Sequence, residues 1–394
     1  MREAYLIDAI RTPRGRQSKP KKNLVGELAN VHPVMLGALL VDALLERNSS
    51  LPPEKVEDLI YSTATICKEQ ATDVARNIVL SSNLPPTTSG VHLNRYCSGA
   101  LQAGAFASPS IRVGDYDVVM AGGGEHMNMC PINSDMDFQR MPFPPVMMQK
   151  HPLGTQGQAA EIIAEKYNLN QEEIDEFAVQ SNQKAHAAWE AGKFDNEIIP
   201  VPYKDADGEE KLFTRDSHIK PDTSMEKLAK LPRPFKPGGM IHAGNSSGIC
   251  DGAALALWTS DDICKEYGLK PRARVLSNAN HGVAPREMLD GVIPGTRLAL
   301  KRAGMTVDDI DIFEINEAFA CVPVAWMKEL GIPREKVNVN GGAVAMGHPL
   351  GCTGGVLLAT IVNELERQEK RYGLVTLCAA LGMSHAMVIE RIDN

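Results

Sequence analysis

Short apolar runs alternate with segments of helical periodicity from the start of the chain. The predicted elements are a strand from Ala4 to Ile10, a helix from Val34 to Glu46, a strand from Asp58 to Ser62, a helix from Thr72 to Ser82, a strand from Ser89 to Leu93, a helix from Ala100 to Ile111 and a strand from Tyr116 to Ala121. This alternation is typical of an α/β sheet that is covered by helices.

A second series of the same kind occupies the C-terminal part of the chain. Its predicted elements are a strand from Arg272 to Ser277, a helix from Thr296 to Ala303, a strand from Ile310 to Ile315, a helix from Glu317, a strand from Val337 to Val339, a helix after Cys352, and strands from Leu374 to Cys378 and from His385 to Glu390. The similar order of elements indicates two similar α/β halves, although no residue-level repeat is visible.

The pattern changes between the two series, from Gly122 to about Ile249. Met127 to Met148 is rich in methionine and proline, and residues 158–193 predict two helices. We interpret this segment as an insertion that adds no third sheet. Methionine-rich stretches are usually adaptable packing.

Length and charge narrow the functional classes. A chain of 394 residues exceeds what one core usually covers, so two or three domains are expected. The 41 basic and 49 acidic side chains give a net charge of −8, and no basic run stands out beyond Lys19 to Lys22, which argues against nucleic acid as a partner. No segment has the length of a membrane span and the N-terminus lacks a signal-peptide core, so we expect a cytoplasmic protein.

The eight cysteines show no close pairing and no Cys-x-x-Cys motif. Neither a disulfide framework nor a metal site is therefore predicted, and a reducing compartment fits. Cys97 is a candidate reactive thiol, because it stands between a predicted strand and a predicted helix. Free amide groups and the helix end lower the pKa of a thiol at such a junction, which predicts a reactive nucleophile. A packed core thiol is the alternative.

Three further segments are also unusual for a purely structural sequence. They are Asn316-Glu317-Ala318-Phe319-Ala320, Gly347-His348-Pro349-Leu350-Gly351-Cys352 and Leu377-Cys378-Ala379-Ala380-Leu381-Gly382. With Cys97 and residues 244–248 and 251–254, they resemble the thiolase family, which makes and breaks carbon–carbon bonds in 3-oxoacyl-CoA thioesters. The resemblance covers nearly the whole chain. It implies a layered αβαβα core built from two βαβαβ-type halves, residues 1–121 plus 250–270 and residues 271–394. Residues 122–249 would be a loop domain that covers coenzyme A and the acyl chain.

The resemblance also implies four catalytic side chains. Cys97 matches the nucleophile, His348 the base that deprotonates it, and Cys378 the acid/base at the substrate α-carbon. Asn316 matches the residue that holds a water, which with His348 stabilises the enolate oxygen. The backbone N–H groups of Cys97 and Ala380 match the donors around a second oxyanion. Core packing for Cys378 and a helix cap ahead of Glu317 for Asn316 remain alternatives.

The sequence departs from the family after Cys378, where family members commonly carry glycines. A Cβ at Ala380 would narrow the approach to the site and penalise a positive φ. Ser384 is a second replacement of this kind.

Coenzyme A contacts follow from the same resemblance. Ser247 matches the serine that hydrogen-bonds the pantetheine arm, and Phe235, Met288 and Phe319 match apolar walls along it. Lys220 is a candidate for a phosphate or the adenine end. Each has an ordinary packing or solvation alternative. Coenzyme A and acyl-CoA are expected as substrates, with no cofactor, in a homodimer or homotetramer that is compatible with other β-oxidation enzymes as partners.

Several readings stay open at this point. Thiolysis of 3-oxoacyl-CoA and condensation of acetyl-CoA use the same groups, and the acyl chain length is not fixed. A condensing enzyme of the ketoacyl synthase type would carry a second histidine in place of Asn316 and would lack Cys378. A cysteine hydrolase needs no second cysteine. A catalytically silent CoA-ester or lipid carrier is favoured slightly by Ala380 and Ser384.

Overall fold

The computed structural model describes residues 2–137, 139–205 and 207–393, so Met1 and Asn394, the ends of the predicted halves, lie outside it. The strands are β1 (Ala4–Arg11), β2 (Gly15–Arg16), β3 (Asp58–Ser62), β4 (Ser89–Leu93), β5 (Val118–Glu125), β6 (Val201–Lys204), β7 (Glu210–Phe213), β8 (Cys250–Ser260), β9 (Ala273–Gly282), β10 (Ile312–Ile315), β11 (Tyr372–Ala379) and β12 (Met383–Arg391). The helices are α1 (Pro33–Arg47), α2 (Val74–Ser81), α3 (Gly99–Val113), α4 (Pro145–Lys150), α5 (Gln156–Lys166), α6 (Gln171–Glu190), α7 (Met225–Ala229), α8 (Asp261–Tyr267), α9 (Val292–Ala303), α10 (Cys321–Leu330), α11 (Ala343–Met346) and α12 (Thr353–Arg367).

The main sheet has two halves of related strand order: β3, β5, β8 and β1 of the first half correspond to β10, β11, β12 and β9 of the second, and the first half has β4 as an additional edge strand. The path of the sheet is β10-β11-β12-β9-β1-β8-β5-β3-β4, and β2 pairs with β8 at the side. In the first half β4, β3 and β5 are parallel, whereas β8 and β1 are antiparallel to their neighbours. In the second half β10 and β11 are parallel, whereas β12 and β9 are antiparallel. The halves meet where Leu6 of β1 pairs with Ala273 of β9.

The predicted strand from Val337 to Val339 is wrong. Val337 forms only an isolated parallel bridge with Phe313. The next residue, Asn338, has a left-handed backbone (φ 42°), and its side chain takes over the pairing. The Asn338 amide accepts from the N–H of Ile315 and donates to the C=O of Ile315, both at 2.9 Å. A side chain therefore replaces the main-chain ladder that would continue this edge.

Two helices, α3 and α12, pack against each other between the sheet halves. The central core contains Leu101, Trp258, Leu358 and Leu377, all at most 2% exposed. Helices α1 and α2 cover the outer face of the first half, and α9 and α10 cover that of the second. The result is a layered αβαβα arrangement, which confirms the predicted fold class.

The segment between β5 and β8 forms the predicted pair of helices, α5 and α6, and also a feature that the sequence interpretation missed. Strands β6 and β7 form a two-stranded antiparallel sheet, so the expectation of no further sheet in this segment is wrong. Val201 and Phe213 pair across this hairpin and are buried against the outer core of the first half, which anchors it. Strand β5 continues to Glu125, so residues 122–125 belong to the main sheet.

The end of β5 lies very close to the segment that follows α11. A Cβ added at Gly123 would overlap the carbonyl oxygen of Gly351 and lie 2.7 Å from that of Ser62. Gly123→Ala is therefore expected to lower the free energy of unfolding by about 1 to 3 kcal/mol through overpacking. Gly282→Ala is the matched control, since its nearest neighbour would lie 3.9 Å away. Urea unfolding of both variants is the measurement, and equal stabilities would contradict this packing account.

Candidate active site

Cys97 lies in a single 3-10 turn, Tyr96–Ser98, immediately before α3. The turn is held by Asn94, whose Oδ1 accepts the N–H of Tyr96 at 2.8 Å. The same turn packs against residues 350–352 and against β11. The thiol is buried at 4% exposure. Sequence-distant segments therefore converge on Cys97.

The pKa of Cys97 is raised, whereas the sequence predicted that it would be lowered. Burial is the largest cause, followed by the charges of Cys378 and Glu125. Hydrogen bonds from the N–H groups of Cys97 and Ala380 oppose the rise. The amide groups therefore act in the predicted direction, but desolvation of a fully buried group outweighs them. The resting thiol is consequently neutral.

His348 is fixed at both ends of its ring. Its Nδ1 lies 2.7 Å from Oγ1 of Thr353, and that hydroxyl donates its own proton to the C=O of Pro349 at 2.9 Å. Nδ1 must therefore be the protonated nitrogen, which leaves the lone pair on Nε2. Burial, and then the charge of Arg14, lower the pKa of His348 to about 3. A neutral imidazole results, in which Nε2 is the nitrogen that can accept a proton.

Asn316 follows β10 and points at this histidine. Its Nδ2 lies 3.3 Å from Nε2 of His348, and its Oδ1 is buried without a hydrogen-bond partner among the described residues. The helix after it starts at Cys321 with Ala320 as the N-cap, so the predicted start at Glu317 and the alternative of Asn316 as a helix cap are both wrong.

Glu317 lies before this helix, and its carboxylate binds three other segments. Its carboxylate accepts hydrogen bonds from Oγ of Ser181 at 2.6 Å, Nδ2 of Asn338 at 2.8 Å and the N–H of Val344 at 3.1 Å. These contacts fix the segment that carries Asn316.

Cys378 lies near the end of β11, buried at 2% exposure, and burial raises its pKa to about 12. Its charge raises the pKa of Cys97, so the two sulfur atoms share one environment. In the turn that follows, the left-handed residues are Leu381 (φ 60°) and Gly382 (φ 83°). Ala380 does not have a positive φ, so the penalty considered from the sequence does not arise there, and the left-handed strain falls on Leu381 instead.

A cavity of about 590 Å³ lies beside the turn that carries His348, and none of Cys97, Asn316, His348 or Cys378 lines it. Three of the residues predicted to contact coenzyme A, Ser247, Phe235 and Lys220, line it, together with Lys19 of the early basic run. Gly248, also in the lining, accepts the N–H of His348 at 3.0 Å. The cavity thus reaches the turn that carries the histidine.

Met288 and Phe319, the other two predicted contacts, do not line this cavity. Met288 is 4% and Phe319 7% exposed, and both belong to the core of the second half. Phe319 packs edge-on against Phe235 with ring centroids 6.2 Å apart, so it supports a lining residue from behind.

Two residues near the site escaped sequence reasoning. Glu125 is fully buried, and its carboxylate accepts the N–H of Gly351 at 2.9 Å. His218 lines the cavity, and its Nε2 is buried without a hydrogen-bond partner among the described residues. Burial and nearby cations lower the pKa of His218 to about 4. The only sequence feature that could have drawn attention to Glu125 is the glycine run 122–124, which it directly follows. No sequence feature distinguishes His218.

All eight cysteines are free thiols. Within residues 2–137, 139–205 and 207–393, no three histidine, cysteine or acidic side chains are grouped as metal ligands. In the same ranges no helix has both the length and the apolar character needed to span a bilayer.

Two family models match this chain. "Thiolase, N-terminal domain" covers residues 4–262 and "Thiolase, C-terminal domain" covers residues 269–391. The chain therefore belongs to the thiolase family. It is 40% identical over 398 residues to the 3-ketoacyl-CoA thiolase of Serratia proteamaculans (strain 568) and 39% identical over 398 residues to that of Salmonella typhimurium, with all of both chains covered in each comparison. The crystal structure of the Bacillus anthracis acetyl-CoA acetyltransferase matches with a TM-score of 0.90 and 33% identity, over 100% of this chain and 99% of that one.

The raised pKa of Cys97 predicts how the free enzyme reacts with alkylating agents. Because the thiolate is the reactive form, the rate of Cys97 alkylation by iodoacetamide should rise about tenfold per pH unit between pH 6 and 9. Peptide mass spectrometry follows the site, with Cys97→Ser as the control. A plateau at or below pH 7 would instead support the lowered pKa expected from the sequence.

Proposed function

We propose that this chain catalyses the thiolytic cleavage of 3-oxoacyl-CoA by coenzyme A through an acyl thioester on Cys97. The observation that carries the proposal is the convergence of the segments of Cys97, His348, Asn316 and Cys378 in one buried region, with a cavity lined by Lys19 and Lys220 reaching the His348 turn at Gly248. The family and the names of its relatives support the same reaction. Condensation of acetyl-CoA is the reverse of this reaction and uses the same groups.

In the first half of the reaction, His348 accepts the proton of Cys97 at Nε2. The resulting thiolate attacks the 3-oxo carbon, and the bond between carbons 2 and 3 breaks. The acyl group remains on Cys97 as a thioester, and acetyl-CoA departs as its enolate. Cys378 donates its proton to carbon 2 of that enolate, which releases acetyl-CoA and leaves a Cys378 thiolate.

In the second half, the Cys378 thiolate takes the proton of the incoming coenzyme A thiol. The coenzyme A thiolate attacks the acyl thioester and forms the shortened acyl-CoA. The sulfur of Cys97 leaves and recovers the proton that His348 held. Cys97, His348 and Cys378 thereby regain their starting protonation states, and the net result is the transfer of one proton from the coenzyme A thiol to carbon 2 of acetyl-CoA.

Oxygen atoms that gain negative charge need donors in place before the reaction. The N–H groups of Cys97 and Ala380 already direct hydrogen bonds at the Cys97 sulfur, which supports assigning them to the oxyanion that forms at the acyl carbon. For the enolate oxygen we propose Asn316, acting through a water, and His348. Their close contact of 3.3 Å supports a shared ligand.

We propose that coenzyme A binds in this cavity, and the chemistry of the lining supports this assignment. Lys19 and Lys220 supply positive charge where phosphates would lie, and Phe235 supplies an apolar wall. Ser247 is proposed to bind the pantetheine arm. We further propose a homodimer or homotetramer, as the family resemblance implies.

The alternative classes have less support. A ketoacyl synthase would need a histidine where Asn316 contacts His348, and a hydrolase has no use for the buried Cys378. A silent carrier would not need an oriented tautomer at His348, which the Thr353 hydroxyl enforces.

The purified protein is expected to cleave acetoacetyl-CoA when coenzyme A is present, because the proposed roles of Cys97, His348, Asn316 and Cys378 supply both half-reactions. Loss of the enolate absorbance measures the rate, and peptide mass spectrometry after incubation with acetyl-CoA should place an acetyl group on Cys97. Cys97→Ser should abolish both signals. An adduct at other residues only, or none under turnover, would end this mechanism.

Cys378→Ser is expected to separate the two steps. A hydroxyl is a far weaker acid than a thiol, so cleavage of acetoacetyl-CoA should fall roughly a hundredfold or more. Acetylation of Cys97 by acetyl-CoA should persist. Cys264→Ser, a buried cysteine in α8 remote from the site, is the matched control. Near wild-type cleavage by Cys378→Ser would return this residue to a packing role.

A further inference from the structure

One buried carboxylate connects the turns that carry the nucleophile and the base. Oε2 of Glu125 accepts the N–H of Ala64 at 2.8 Å and the N–H of Gly351 at 2.9 Å. Its Oε1 accepts the N–H of Thr65 at 3.3 Å and Nε2 of Gln70 at 2.9 Å. Four donors from three separate segments meet on this side chain, which is 1% exposed.

The hydrogen bonds continue in both directions from Glu125. On one side, the C=O of Ala64 accepts from Nδ2 of Asn94, and Oδ1 of the same asparagine holds the turn that contains Cys97. On the other side, Gly351 lies three residues after His348. The path therefore runs from the Cys97 turn through Asn94, Ala64 and Glu125 to the His348 turn.

We propose that Glu125 is a positioning residue, which sets the location of the His348 base relative to Cys97 by holding Ala64 and Gly351 on one carboxylate oxygen. The proposal extends the proposed thiolase function and rests on it for its kinetic test. Glu125 does not line the described cavity, so a direct contact with coenzyme A is not part of the role.

The arrangement favours the ionised carboxylate, because all four partners are N–H donors and a protonated oxygen would face them with no acceptor. Burial opposes ionisation and raises the pKa of Glu125 to about 7. The titratable groups that interact with its charge are Tyr61, Cys97 and Cys352. Ionised Glu125 raises the pKa of Cys97. Glu125 therefore has two opposing effects: it positions the His348 turn, and it disfavours the Cys97 thiolate.

Glu125→Gln alters both effects, and each has its own measurement. The amide keeps the shape but places an NH₂ group among N–H donors and removes the charge. The kcat for acetoacetyl-CoA cleavage should fall roughly tenfold to a hundredfold through misplacement of the base, with the KM for coenzyme A within about twofold. The pH profile of Cys97 alkylation should move to lower pH by about half a unit or more, because a nearby negative charge is gone.

Glu125→Asp keeps the charge with a shorter reach. It should give an intermediate kcat and the wild-type alkylation profile. Glu161→Gln is the matched control, since Glu161 is also buried and accepts the N–H groups of Met240 and Ile241. It should leave the alkylation profile of Cys97 unchanged and lower kcat less than Glu125→Gln does. Circular dichroism and thermal unfolding verify that each full-length variant is folded.

Several outcomes would overturn the proposal. They are a kcat of Glu125→Gln within twofold of wild type, an equal loss in Glu161→Gln, or an alkylation profile that does not move. If Glu125→Gln does not fold, Glu125→Asp and Asn94→Ala decide, since both must lower kcat and a wild-type rate in either contradicts the path. An inactive wild-type protein would refute the proposed function instead, and the alkylation profiles would still test Glu125.

Discussion

The close approach of the turn at 348–352 to the ends of β3 and β5 is the constraint on which the site depends. A Cβ at Gly123 would overlap the carbonyl of Gly351, and a Cβ at Gly351 would lie 2.8 Å from Cα of Thr63. Only glycines allow the two backbones to come this near. This contact places a turn of the second half against the nucleophile turn of the first, and the carboxylate of Glu125 satisfies the backbone groups that meet there.

The same burial governs the chemistry of the site. Cys97, Cys378 and His348 are almost fully enclosed, and desolvation disfavours their charged forms. In the free protein the thiols are protonated and the imidazole is neutral. In the proposed reaction, a proton therefore passes from Cys97 to His348 only when substrate and oriented donors stabilise the charges that follow. An enclosed neutral site also protects the nucleophile from indiscriminate alkylation and oxidation.

Much of the fold was predictable from the sequence. Strands β3 and β4 have the predicted bounds, because their apolar runs end at turn residues, and α12 begins directly after Cys352 as expected. The edge at Val337 was not predictable, since its pairing is made by the Asn338 side chain over a long sequence distance. The hairpin of β6 and β7 is short and half exposed, and its sequence carries little alternation.

The candidate site was also predictable only in part. The motifs of Cys97, His348 and Cys378 identified the segments that converge, whereas burial is a property of the assembled fold and cannot be read from a motif. That is why the direction of the Cys97 pKa shift was wrong. Glu125 was unrecognised because its four donors come from residues 64, 65, 70 and 351. Ala380 drew attention by composition, but the left-handed strain lies at Leu381.

The central claim is that Cys97 carries the acyl group between donors from its own turn and from the turn after β11. A crystal structure of the protein soaked in acetyl-CoA tests this claim most directly. The account predicts continuous density from the Cys97 sulfur to an acetyl group, with the acetyl oxygen within hydrogen-bonding distance of the N–H groups of Cys97 and Ala380 and with the pantetheine arm beside Ser247. An unmodified Cys97 with acetyl-CoA bound elsewhere, or an acetyl oxygen turned away from both N–H groups, would contradict it.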